Sequence, residues 1–185
     1  MNKTNLYFIA LVPHPELRER VKQLKEEMKE RFNAKHALKS PAHITLQMPF
    51  KRTENEETRI IDALTAFAVD QKAFQLELND FGCFYLRVIY LNVVDHEPVA
   101  LLQRELMEVL HTNLNFNEDE LLQKFSPHMT IATRDLDKTM FQKAWSEFKD
   151  RRFNAPFKVK SIFLLKHNGK FWNIYREMSF DPKKE

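Results

Sequence analysis

The apolar segment Leu6–Val12 (LYFIALV) has a counterpart in Val88–Val94 (VIYLNVV), and a similar succession of patterns follows each. After the first comes a helix over Glu16–Phe32, with Leu17, Val21, Leu24, Met28 and Phe32 at spacings of three and four. A strand at Ala42–Met48 follows, then a helix over Glu56–Gln71 on Ile60, Leu64, Phe67 and Ala68, then the alternating strand Phe74–Leu78. After the second come a helix over Pro98–Leu114 (Leu102, Leu106, Val109, Leu110) and a strand at Phe125–Thr133. A helix over Lys138–Lys149 (Phe141, Ala144, Trp145, Phe148) completes the parallel. Strands at Phe157–Leu165 and Phe171–Phe180, joined by a turn at His167-Asn168-Gly169, close the chain ahead of a charged tail, Asp181–Glu185. The opening strands are offset by 82 residues (6 to 88) and the central ones by 85 (43 to 128). Such a duplication predicts two similar lobes about a pseudo-twofold axis.

At 185 residues the chain is long enough for one domain, or two lobes sharing a core, to fold without staples. It holds only two glycines, Gly82 and Gly169. Dinucleotide fingerprints and phosphate-cradling loops need several glycines close together, so any phosphate chemistry must come from side chains. There is no His-Glu-x-x-His run and no tight His/Cys/carboxylate cluster, so no metal is expected. The single cysteine, Cys83, has no partner for a disulfide and fits a reducing cytoplasm. A net charge of +3, spread along the chain, permits a phosphate-bearing ligand without announcing extensive nucleic-acid binding. No run reaches transmembrane length. The opening MNKTNLYFIALVPHP mimics a short signal peptide but lacks a small-residue cleavage site, and so predicts a first strand.

Two histidines stand out. Ser40–Phe50 is SPAHITLQMPF and Ser126–Asp135 is SPHMTIATRD, each with a proline, then His-x-Thr in an apolar strand. Side chains alternate along a strand, so Ile44 and Leu46, like Met129 and Ile131, point into a core. His43 and Thr45, and His128 and Thr130, then share the opposite face, and a twofold relation lets all four converge.

These tetrapeptides, His43-Ile44-Thr45-Leu46 and His128-Met129-Thr130-Ile131, resemble the two signatures of the 2H phosphoesterases, the superfamily of LigT-type 2′-5′ RNA ligases and cyclic nucleotide phosphodiesterases. The similarity in element order covers about residues 5–180. It implies an α+β bilobal duplicated fold: two antiparallel sheets facing a central cleft, helices on the outer faces, the motif at 43–46 in the first lobe and that at 128–131 in the second. Residues 1–185 are then one such bilobal domain. The resemblance also implies metal-free, cofactor-free phosphodiester chemistry on an RNA end or nucleotide, by a monomer with no obligate protein partner. Imidazole titrates near neutrality, so one of His43 and His128 can take a proton while the other gives one. Thr45 and Thr130 are placed to hydrogen-bond the non-bridging phosphoryl oxygens.

Counting by twos adds Gln47 and Arg134 on the same face. Arg134 could clamp a phosphate, or be a solvated arginine at a strand end. His14, His36, His96, His111 and His167 fall in turns, a loop, a helix and a hairpin, where structural or surface roles are expected. Phe50 and Phe84 could stack on a base, but filling a core is the expectation. The charged run Lys22–Arg31 is expected to be a solvated helix face. Two readings stand beside the phosphoesterase: a non-catalytic nucleotide- or RNA-binding module using the same cleft, and a structural α+β protein with accidental repeats.

Overall fold

The computed structural model describes residues 3–181 and 183; most of the expected 181–185 tail lies outside them. The elements are β1 (Thr4–Leu11), α1 (Pro15–Phe32), a short 3-10 turn (His36–Lys39), β2 (Ile44–Thr53), α2 (Glu54–Val69), β3 (Phe74–Phe84), β4 (Val88–Val93), α3 (Glu97–Leu114), β5 (His128–Ala132), α4 (Lys138–Phe148), β6 (Asn154–Val159), β7 (Ser161–His167) and β8 (Trp172–Ser179). The fold is α+β. Two four-stranded antiparallel sheets, ordered β2-β1-β7-β8 and β5-β4-β3-β6, face a central cleft with helices outside.

The continuous apolar run of β1 follows from burial on both faces. Tyr7, Ile9 and Leu11 enter the main core, while Phe8, Ala10 and Val12 join Leu165 in a smaller cluster on the other side. The helices bury the stripes their spacing predicts: Leu17, Val21, Leu24, Met28 and Phe32 on α1, and Phe141, Ala144 and Phe148 on α4. Both α1 and α3 begin beside a proline and stop at an asparagine in the left-handed region, Asn33 (φ 56°) and Asn115 (φ 54°). Helices α1 and α4 pack together on the β5 side, whereas α2 contacts β2, β7 and β8. A carboxylate at Glu57 fastens α2 to the first sheet, accepting hydrogen bonds from Tyr7, Tyr175 and Lys166, the last at 2.6 Å.

Three expectations need correction. The stretch expected as one strand at 157–165 is two strands in different sheets: β6 pairs with β3, the chain crosses at Lys160, and β7 pairs with β1. The third strand of the first repeat, β3, sits beside β4 in the second sheet, so β7 and β8 fill the first sheet instead. Finally, Ala10 and Tyr90 take the same place opposite Thr45 and Thr130, so the opening strands are offset by 80 residues, not 82. A two-residue slip keeps every side chain on its proper face, which is why apolar matching alone could not detect it. Among the described residues no helix is long and apolar enough to cross a membrane.

Candidate active site

His43, Thr45, His128, Thr130 and Arg134 all line one cavity of about 380 Å³ between the sheets, a volume typical of small-ligand sites. Strand β2 carries Thr45, with His43 just ahead of it, and β5 carries His128 and Thr130. The two histidines are held alike. Nδ1 of His43 lies 2.8 Å from the carbonyl oxygen of Pro41, and Nδ1 of His128 lies 2.6 Å from that of Ser126, in each case two residues upstream. A carbonyl only accepts, so Nδ1 carries the hydrogen and the Nε2 lone pair is left for chemistry. Among the described residues neither Nε2 nor the hydroxyls of Thr45 and Thr130 bond to the protein.

Each imidazole also rests on aromatic rings. Phe8 lies 4.8 Å from His43 and is itself met edge-on by Trp172 at 4.7 Å. Phe84 and Tyr90 each lie 5.0 Å from His128. Gly82, paired with Tyr90 across the ladder, leaves room for that ring: a Cβ there would lie 2.5 Å from it.

Burial pushes the His43 pKa down to about 4, helped by the charge of Lys25 and opposed by the Pro41 carbonyl. Burial also lowers that of His128, against the Ser126 carbonyl. The cavity walls include Lys25, Lys39, Lys124 and Arg134, and among the described residues no carboxylate. A roomier groove, about 1060 Å³, lies between α2 and α3, but it exposes Asp70, Glu105, Glu108 and Glu118 and neither motif. Among the described residues no three His, Cys, Asp or Glu side chains come together to hold a metal.

Strand parity failed at two positions. Thr45 faces Ala10 while Gln47 faces Ile9, so Leu46 is the extra residue of a β-bulge. Gln47 is therefore fully buried on the core side, where its Nε2 donates to the carbonyl of Glu120 at 2.7 Å and its Oε1 accepts from Leu122 N–H at 3.1 Å. It clamps a loop and does not line the cleft. A matching bulge falls at Ile131, since Thr130 faces Tyr90 and the buried Ala132 faces Ile89. Arg134 reaches the cavity from beyond the end of β5, with φ 59°, and not by the strand parity that nominated it.

Other cleft residues differ from expectation. Phe84 is exposed cleft wall and not core, whereas Phe50 is core, packed on Tyr7 and Phe116. His36, expected to be a structural or surface residue, lines the cavity, where Asp135 accepts from the backbone N–H of Lys35 and His36 and holds that turn. Lys25, inside the supposedly solvated run, is 3% exposed. Its place three residues before Met28 and four after Val21, on the apolar stripe of α1, was the available signal.

The fold and cleft thus define a class: a two-sheet α+β protein whose inter-sheet cleft carries positive charge and two matched imidazoles. The chain belongs to the 2′-5′ RNA ligase superfamily, whose sequence pattern matches residues 13–171. It is 30% identical over 160 residues to a candidate phosphoesterase of Geobacillus kaustophilus, covering 84% of this chain and 87% of that one. A candidate phosphoesterase of Bacillus pumilus is 26% identical over 174 residues, covering 91% and 94%. Among solved structures, E. coli LigT complexed with 3′-AMP superposes with a TM-score of 0.67 at 18% identity, covering 96% of this chain and 99% of that one. TT0787 of Thermus thermophilus gives a TM-score of 0.65 at 17% identity, covering 96% and 98%. Family and fold together support phosphoesterase-type chemistry.

Proposed function

We propose that this protein is a metal-independent phosphoesterase that opens 2′,3′-cyclic phosphates, or cleaves 2′-5′ phosphodiesters, at RNA ends or on nucleotides. The observation that carries the proposal is the pairing of two equivalently tethered imidazoles, each with a free Nε2, in a cleft lined by cations and no described carboxylate. An anionic ester is drawn to such a site, and proton transfer is the chemistry its side chains offer.

In the forward step on a cyclic phosphate, water attacks phosphorus and gives a proton to Nε2 of one histidine. The bond from phosphorus to the ribose 3′ oxygen breaks, and the other histidine, starting as imidazolium, protonates that oxygen. One water is consumed and a 2′-phosphate forms; exchange with solvent resets the two imidazoles. Thr45 and Thr130 donate hydrogen bonds to the non-bridging oxygens, where charge builds in the transition state. Arg134, at the cavity rim, pairs with the phosphate as it enters.

The test is incubation with 2′,3′-cyclic AMP, CMP, GMP and UMP in excess EDTA, with products separated by chromatography. Turnover to the 2′-phosphate that is lost in both His43→Ala and His128→Ala supports the proposal. Tight nucleotide binding without product would make the cleft a binding module instead. A 3′-phosphate product would reverse the assignment of the leaving oxygen.

A further inference from the structure

The two halves of the site share their motif and their tether but differ in what lies behind the tether. On the His43 side a lysine is buried behind the histidine's tether. Lys25 reaches from α1 and donates from Nζ to the carbonyl oxygens of Ser40 (3.0 Å) and Pro41 (3.3 Å). The Pro41 oxygen is the same atom that holds His43 Nδ1. An ammonium and an imidazole therefore share one acceptor, in a wall that borders the cleft. At His128 the corresponding carbonyl, of Ser126, receives no cation among the described residues.

Resting on the acid–base reading above, we propose that Lys25 is the positioning residue that makes the paired site asymmetric. Its ammonium fixes the Pro41 carbonyl against His43 Nδ1 and sets a positive charge beside that imidazole, so that His43 accepts the proton and His128 supplies one.

The surroundings leave this charge uncompensated by any ion pair. No described carboxylate lies within ion-pair distance of Lys25, and burial is the cause that lowers its own pKa, to about 7. Helix α1 brings Arg18, Lys22 and Glu19 toward the outer side of the same wall, with Lys22 paired to Glu19 and Glu26. The 3-10 turn brings His36 and Lys39, the loop before β5 brings Lys124, the loop after β5 brings Arg134, and β5 itself brings His128. Asp135 bonds to the backbone at Lys35 and His36. From β1 and β8 the wall receives Phe8 and Trp172, which carry no charge. The field at His43 is thus cationic, and in a partly dehydrated site such a field opposes a second positive charge. Below neutrality Lys25 is charged while His43, with its midpoint near 4, stays neutral over the range in which a donor imidazole is protonated.

The decisive measurement is an NMR titration of the His43 and His128 ring signals, without substrate, in the wild type and in Lys25→Met and Lys25→Gln. The His43 midpoint should rise by about one unit or more, a tenfold change in its acid constant, while His128 moves less. In Lys25→Arg, which keeps the charge, His43 should stay near its wild-type midpoint. The acid limb of kcat/KM against pH should move with His43. Gln retains an N–H donor, so it guards against misfolding of the Met variant through the two orphaned carbonyls. An unshifted His43 midpoint in either folded neutral variant, or a wild-type His43 that titrates above His128, overturns the proposal. Because the midpoints are read without turnover, failure on cyclic phosphates would sink the activity while leaving the electrostatic relation standing.

Discussion

Leu46 and Ile131 occupy the same place in two strands from different sheets: each is the extra residue of a bulge immediately after the motif threonine. The bulge ends the cleft-facing run at Thr45 and Thr130 and turns the next residues, Gln47 and Ala132, into the core. One local distortion, used twice, breaks the alternation just past each motif, and Met48, Pro49 and Thr133 return to the cavity wall beyond it.

Gln47 is the main structural beneficiary. Gln47→Ala leaves Leu122 N–H and the Glu120 carbonyl without that partner. A loss of about 2 kcal/mol in urea unfolding is expected, with faster proteolysis of the 117–125 loop. Loss of stability under about 0.5 kcal/mol would show that the loop is held by something else.

For catalysis, His43→Ala and His128→Ala should each lower kcat on a 2′,3′-cyclic nucleotide by roughly 10²–10⁴-fold. Thr45→Ala and Thr130→Ala should cost less, and Thr→Ser should retain most activity at either position. The double histidine variant should be little worse than the worse single one, because the two groups act in one step.

The pH profile follows from the two imidazoles. Reaction of the free enzyme needs one neutral and one protonated. His43, lowered to about 4, is neutral above pH 5, and His128, lowered from 6.5, loses its proton below that value. A plot of kcat/KM should peak between pH 4 and 6.5 and fall about tenfold per unit on the alkaline side. A maximum at pH 8 would contradict the assignment.

Stability should respond to acid through Glu57. Burial would raise its pKa, but the hydrogen bonds from Lys166, Tyr175 and Tyr7 outweigh this and hold it near 2, against an ordinary value of 4.5. The folded state therefore binds this proton less readily than the unfolded chain. The contribution is complete above pH 4.5 and disappears as pH falls toward 2. Glu57→Gln should lower stability by about 2 kcal/mol at pH 7 and flatten the slope of urea midpoint against pH over that window.

Gly82→Ala tests the wall behind His128. The added methyl meets Tyr90 and Asn92 Oδ1 at 2.5 Å, so the Tyr90 ring must move off His128. A cost of about 1–3 kcal/mol and a displaced His128 ring resonance are expected. Unchanged spectra would mean that the ring has room to spare.

The sequence by itself determined the helices and their stripes, the order of elements up to α4, and the two His-x-Thr pairs, because hydrophobic period and local motif are properties of neighbouring residues. It could not place Gln47, since a bulge arises from how β2 pairs with β1, and parity holds only while pairing is regular. Nor could it assign β3, β6 and β7 to their sheets, because the partners of each lie far along the chain. Lys25 looked like one more charge in a solvated run, and Phe84 like ordinary core. What made them cleft residues was the meeting of two sheets, and with it the burial that lowers the pKa of each paired histidine. Proximity in a dehydrated cleft is a property of the folded chain, and no spacing along the sequence encodes it.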